Sequence, residues 1–325
     1  MALILLVGGL ESILLAIVLF GSVLIHELSH SVVAKQHKID VRRIILLPIG
    51  GMSVIDDFAV TPATELKVSI AGPAMSLLLA VLAYIVELSS PFPLIATIAA
   101  TAKEANAMLC AFNLLPAIPL DGGRVWRALR ERRKDFLTAT KEAVALSKFT
   151  IAILVLFGIF LAFLFGEWGI LFWNGLIAVF IFAGSDMELE AAVFKSASEG
   201  ITVGDAMRSE MLCASGEENL LEAFELAYTS KARNILIIGK RNFRVVSLSA
   251  FENVPRSKWI ATKIKSLSKV PPRCEPGENV LSAWKKMRAS DVQLAPVIKN
   301  RKLVGVVTES DIEQLIYLRK IALFA

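Results

Sequence analysis

Runs of about twenty mostly apolar residues recur through the first 185 positions of this chain and then stop. A helix needs about 20 such residues to cross a hydrocarbon core about 30 Å thick. In lipid its backbone polar groups must be satisfied within the protein. The pattern therefore predicts a polytopic α-helical membrane domain. Five full spans are expected: Ser12 to Ala34, Leu66 to Val86, Leu94 to Leu120, Leu146 to Phe165 and Gly169 to Ala183. Ala2–Val7 is apolar but too short to cross. Apolar residues make up 55% of the 325, and the excess over a soluble domain lies before residue 185.

Loop charges orient the spans. Lys35, Lys38, Arg42 and Arg43 follow the first span; Arg124, Arg127, Arg130, Arg132, Arg133 and Lys134 follow the third. The loops ELSSPFP and GEWG carry no Lys or Arg. Basic loops stay cytoplasmic, so the fifth span runs inward and leaves the rest of the chain in the cytoplasm. Trp168 and Trp173 suit an interfacial belt. The net charge of +5 belongs to these clusters, and no basic face interleaved with aromatics points to nucleic acid. Three cysteines without a C-x-x-C pair suit a reducing compartment, and no signal peptide is read at the N-terminus.

Two segments resist this scheme. Lys103 and Glu104 interrupt the third span. Because charges inside a membrane are costly, its helix is expected to begin near them rather than to face a wet cavity. Arg42–Val54 is too short to cross and contains a Gly-Gly turn signal. It reads as a hairpin dipping into the membrane, with its backbone covered by protein.

After Asp186 the composition changes. Residues 187–200 read as a polar exit and linker between a membrane domain (1–186) and a soluble α/β part (201–325). That part contains an internal repeat: VGDAMRSEMLCASGEENLLEAF resembles IKSLSKVPPRCEPGENVLSAW about 60 residues later. Each copy (about 201–258 and 259–325) mixes short β-rich runs with an amphipathic helix. One copy would bury its sheet poorly, so the two are expected to pack as a pseudo-dimer.

The strongest chemical signal is His26-Glu27-Leu28-Ser29-His30. Residues four apart share a helix face, so both imidazoles can reach one Zn²⁺ while Glu27 acts as general base on water. With Glu11 at the outer boundary, His26 lies about 22 Å along at 1.5 Å per residue. That is inside the hydrocarbon, toward the cytoplasmic side. The alternative is a metal-free polar helix whose histidines are hydrogen-bonded to a neighbour. Two histidines need a third ligand, and the candidate is Asp121 in NLLPAIPLDGG. Pro116 and Pro119 should break the third span, and Gly122 and Gly123 permit a turn just after Asp121. Asp121 could instead cap the helix RVWRALRERR.

HELSH in one span and NLLPAIPLDGG in a later one resemble the site-2 protease family of intramembrane zinc metalloproteases, over roughly residues 10–185. The resemblance implies that His26, His30 and Asp121 bind one Zn²⁺ per chain and that Glu27 is the catalytic base. It implies that Asn113 positions substrate or stabilises the oxyanion, where the alternative is a helix–helix hydrogen bond. LLPIGG (Leu46–Gly51) resembles the family's membrane-associated β segment, which could offer an edge to an unwound substrate strand. The resemblance also implies a further helix ahead of the first span, of which Ala2–Val7 looks like the stump.

The repeat resembles a pair of cystathionine-β-synthase (CBS) domains. GVVTESDI in the second copy is similar to that family's nucleotide-contacting pattern. It implies that Thr308 and Asp311 contact the phosphate or ribose of ATP, ADP or AMP. In the first copy Ser247 and Ala250 stand at the matching positions, so at most one fully equipped site is expected. A purely structural dimerising role is the alternative. Together these readings imply a multi-pass protease of the cell membrane, cutting transmembrane segments of protein substrates. Its CBS pair would be cytoplasmic, with possible control by an adenine nucleotide and possible homodimerisation. The competing readings are a CBS-regulated transporter or channel, which leaves Glu27 and its neighbours without a shared purpose, and a proteolytically silent receptor.

Overall fold

The computed structural model describes residues 9–39, 41–47, 50–55, 61–239 and 242–324. The apolar stump at Ala2–Val7 lies outside them. The chain divides into two compact units, Met1–Ala192 and Val193–Ala325.

In the first unit, α1 (Gly9–Gln36) leads into an antiparallel hairpin of β1 (Val41–Leu47) and β2 (Gly50–Ile55). The helices α2 (Pro62–Ser89), α3 (Pro93–Asn113), α4 (Asp121–Glu131), α5 (Phe136–Phe165) and α6 (Gly169–Ser198) follow. Local chemistry sets several ends. The Thr61 hydroxyl accepts the Thr64 N–H at 3.3 Å ahead of Pro62, and the Asp135 carboxylate accepts the Thr138 N–H at 2.8 Å. Such side chains satisfy N–H groups that a helix start leaves unpaired. At the far end of α5, Gly166 takes the left-handed conformation (φ +71°) that favours glycine.

Among the described residues, four helical stretches are long and apolar enough to cross a bilayer: Ala16–Gln36, Pro62–Ser89, Phe136–Phe165 and Gly169–Ser198. Their packing suits lipid rather than water. Large side chains such as Leu156, Phe163 and Phe172 are exposed, while Ser69, Gly72, Ser76 and Ala80 form the buried face of α2. Helices in lipid gain little from burying apolar groups and approach through small residues instead.

The expected third span differs most. Its helix, α3, is not among the four, and it ends at Asn113 rather than Leu120. Nor does it begin near Lys103 and Glu104, which fall in mid-helix. The Lys103 ammonium donates to Glu87 Oε2 on α2 at 2.8 Å, so pairing rather than a helix start accommodates the charge. The fourth expected span begins ten residues early, at the Asp135 cap. The fifth continues without interruption through 187–198, where a linker was expected. MELEAAVFKSAS holds no breaker before Gly200, and most of it favours helix. The expected Gly-Gly turn is also displaced: Gly50 and Gly51 open β2, opposite Leu47 and Leu46, and residues 48 and 49 of LLPIGG lie outside the described residues.

In the second unit the two sequence copies repeat one plan. β3 (Cys213–Ala214) lies parallel to β4 (Asn234–Ile238), which pairs antiparallel with β5 (Phe243–Ser247). In the second copy Cys274 bridges Val297 in parallel, and β6 (Leu294–Lys299) pairs antiparallel with β7 (Lys302–Thr308). The repeated Asn starts equivalent helices. Asn219 accepts the Leu221 and Glu222 N–H groups, and Asn279 accepts that of Leu281. Two cores each mix the copies: Ile201, Val203 and Ala206 pack with the second copy's Val280, Met287 and Val297, and Ile264 packs with the first copy's Leu220 and Ile235, while Leu236, Val245, Leu294 and Val306 form a third cluster shared by the strands of both. The chain closes with α11 (Glu309–Phe324), counted after the shorter helices α7 (Val203–Ala206), α8 (Leu220–Thr229), α9 (Ile264–Leu267) and α10 (Val280–Ala289).

Candidate metal centre

His26, Glu27 and His30 are buried in the C-terminal half of α1. The one-turn spacing sets the imidazole centroids 4.9 Å apart with the rings at 75°. Both Nε2 atoms face one carboxylate oxygen: Asp121 Oδ2 lies 3.2 Å from that of His26 and 3.3 Å from that of His30. All three ligand atoms fall within 4.8 Å of one another. A tetrahedral zinc with bonds of 2.0–2.1 Å has ligand–ligand edges of about 3.3 Å, which two of the three separations match.

The other ring nitrogens are held from behind. The Val68 carbonyl, 2.7 Å away, can only accept, so His30 Nδ1 carries a proton and Nε2 is the nitrogen left to face a metal. His26 Nδ1 lies 2.8 Å from Ser76 Oγ. Hydrogen bonds of this kind orient imidazole ligands and raise their basicity. Two imidazoles and one carboxylate are the three-ligand set of a catalytic zinc, whose fourth position is taken by water.

Helix α2 supplies this backing, and sequence reasoning missed it. Glu65, Ser69, Gly72 and Ser76 recur at spacings of four, three and four, on one face. A Cβ on Gly72 would stand 2.2 Å from His30 Nε2 and 2.5 Å from His26 Nε2. Only a glycine leaves the rings their present places. The signal was present as small residues at helical spacing in an apolar run, S-x-x-G-P-x-x-S, and was read only as part of a span.

Asp121 arrives differently. It is the first residue of α4, and its carboxylate turns to the imidazoles; Leu120 occupies the cap position without a side-chain bond. Gly122 and Gly123 do not form the expected turn. They lie inside the helix, where a Cβ would strike the Leu114 carbonyl oxygen at 2.3 Å or the Ala117 carbonyl carbon at 2.4 Å. Their role is to let the 114–120 segment press against α4. That segment is anchored to α5, where Ser147 Oγ accepts the Ile118 N–H at 2.8 Å and Thr150 donates to the Pro116 carbonyl at 3.3 Å.

The remaining candidates are less converged. Asn113, the last residue of α3, is half-buried and donates its amide to Leu109 of its own helix at 3.0 Å, not to another helix. In the second unit the Thr308 hydroxyl donates to Asp311 Oδ2 at 2.7 Å, and Asp311 also pairs with Arg208. A cavity of about 410 Å³ lies at the other copy, lined by Phe224, Arg233, Ser247, Ser249, Trp259 and Gln293 among others. Thr308 and Asp311 do not line it.

Comparison with known proteins follows the same division. The model of peptidase family M50 matches residues 14–107 and 92–157, and that of the CBS domain matches 264–317. The chain is 27% identical over 303 residues to a zinc metalloprotease of Methanocaldococcus jannaschii, covering 92% of this chain and 83% of that protein. It is 31% identical over 273 residues to a protein of Synechocystis sp. described provisionally as a zinc metalloprotease, covering 79% and 69%. Among solved structures, the site-2 protease from Methanocaldococcus jannaschii matches at 33% identity over 58% of this chain and 83% of that one, with a TM-score of 0.45.

Proposed function

This chain belongs to peptidase family M50, is a zinc metalloprotease of site-2 type and carries a CBS domain; from that premise we propose that it is an intramembrane endopeptidase cutting transmembrane segments of other membrane proteins. The convergence of His26, His30 and Asp121 on one point carries the reading. Those three residues hold the zinc, which when bound polarises the scissile carbonyl and acidifies a water. Glu27 takes the proton of the attacking water and passes it to the leaving amine nitrogen. Asn113 positions the substrate. A helical substrate hides its carbonyls in its own hydrogen bonds, so it unwinds locally and pairs with the β1–β2 hairpin edge. The helix α3, 21 residues and about 31 Å long, serves as a fifth span with Lys103 neutralised by Glu87. The basic loops put the second unit in the cytoplasm.

The experiment is a metal titration with a cleavage assay. Wild type should hold one zinc per chain, lose cleavage of a model transmembrane substrate on chelation and regain it on zinc addition. Asp121→Ala should lose both metal and cleavage. An Asp121→Ala protein that keeps its zinc would overturn the site.

The CBS pair is proposed to bind an adenine nucleotide that modulates proteolysis and to support homodimerisation. Phe224 and Trp259 offer rings for a base, and Arg233 and Ser247 offer donors for phosphate. Thr308 and Asp311 form the second copy's nucleotide-contacting pair, released from Arg208 when ligand enters. Titration calorimetry on the full chain should show saturable binding of ATP, ADP or AMP that Trp259→Ala weakens. Absence of binding at millimolar concentration would leave the pair a purely structural role.

A further inference from the structure

Beyond the metal ligands, the described residues of the first unit include a charge cluster built around a buried arginine. Arg127, on α4, is 2% exposed. Its Nε donates to Glu65 Oε1 on α2 at 2.9 Å, and Nη2 reaches the same oxygen. Its Nη1 donates to Glu188 Oε1 on α6 at 2.6 Å. Arg124, one turn earlier, lies 4.0 Å from the other Glu188 oxygen. Among the described residues, two guanidiniums thus face two carboxylates. The Phe136 ring covers the Arg127 guanidinium, with its centroid 5.0 Å away.

The placement ties this cluster to the candidate zinc. Glu65 begins the α2 stripe that continues through Gly72 and Ser76 to the two imidazoles. Arg127 stands six residues, about 9 Å along the axis, from Asp121 on the same short helix. The stripe of α2 thus holds the histidines at one end and α4 at the other. Removing one partner of a buried pair leaves an uncompensated charge, so the cluster tolerates few rotations or slides of α4. A guanidinium's planar fork adds direction that an ammonium lacks.

We propose that Arg127 is a positioning residue for the metal centre: clamped between Glu65 and Glu188, it sets the rotation and register of α4 so that Asp121 meets both imidazoles. This rests on the reading of His26, His30 and Asp121 as zinc ligands. The test uses the full chain in detergent or nanodiscs and reads zinc affinity by chelator competition, together with the visible spectrum of the cobalt-loaded protein. Arg127→Met should weaken zinc binding about 10- to 100-fold, as for lost outer hydrogen bonds to a metal site, and alter the cobalt spectrum. Arg127→Lys should recover part of both. Lys103→Met breaks a different ion pair in the same unit and should change neither. Wild-type affinity and spectrum in Arg127→Met overturn the proposal, and so does an equal loss in Lys103→Met, which would mark general loosening. If Arg127→Met does not fold, Glu188→Gln removes one arm of the clamp and decides by the same readouts. Asp121→Asn is measured beside them. Unchanged zinc affinity there would sink the metal site itself, whereas a loss there with none at Arg127 would sink only the clamp.

Discussion

Glu27→Gln is expected to slow hydrolysis of a membrane-embedded substrate by about 100- to 10,000-fold while leaving zinc content at the wild-type level, the range that general acid–base catalysis contributes. The two effects separate because the residue lies between the histidines without being one of the three converging donors. Glu27 is 9% exposed, so a buried position must accept the replacement. The amide keeps the size and can still hydrogen-bond, but it cannot take a proton from water at neutral pH. Cleavage is read as product fragments by mass spectrometry and zinc by atomic absorption on the same preparation. Equal cleavage by wild type and variant would remove Glu27 from the mechanism. Loss of zinc together with cleavage would give it a structural role in the site.

Gly72→Ala carries the second large effect, through sterics alone. The added methyl would sit 2.2 Å and 2.5 Å from the two Nε2 atoms that face Asp121, well inside contact distance. Either the imidazoles turn away or α2 backs off from α1, and in both cases the ligand set opens. Misplacement by about 1 Å at a reacting centre costs about 100-fold in rate, so cleavage should fall by at least about that factor and zinc affinity should fall with it. Helix stability argues the other way: Ala is favoured over Gly in a helix interior by about 1 kcal/mol. A variant that folds as well as wild type but binds zinc poorly is therefore the expected result. Gly175→Ala is the control, because a Cβ there meets nothing within 4 Å. Wild-type zinc affinity in Gly72→Ala would mean that the rings do not occupy these positions when metal is bound.

The membrane domain was legible because crossing lipid demands a length and composition that any window of sequence displays. The convergence of His26, His30 and Asp121 was legible for a different reason. HELSH is local, and a helix dictates which of its residues share a face. The NLLPAIPLDGG segment carries enough prolines and glycines to mark an irregular strand of chain beside Asp121. What escaped were the distant contacts that no motif marks. Lys103 looked like a helix start because Glu87, its partner, belongs to the previous helix. Arg127 looked like one more cytoplasmic charge, although it is buried with carboxylates 62 and 61 residues away. Gly72 and Ser76 looked like lipid-span filler, although they shape and orient the imidazoles. In the second unit the repeat announced a duplicated plan, but neither the paired asparagine caps nor that the cavity lies at the copy lacking the acidic residue was read from it.

Sequence alone determined that this protein has helices long and apolar enough to cross lipid, that a two-histidine face is available on one of them, and that a duplicated α/β unit follows. Each of these is a statement about neighbours within a few residues, governed by helix periodicity, backbone hydrogen bonding and the apolarity of lipid. Tertiary structure alone decided which groups hold the outer nitrogen of each ring, which glycine leaves room for the rings, and which arginine is buried between α2, α4 and α6. Those depend on the phase and approach of helices, set by close contact and charge pairing between residues that periodicity cannot relate.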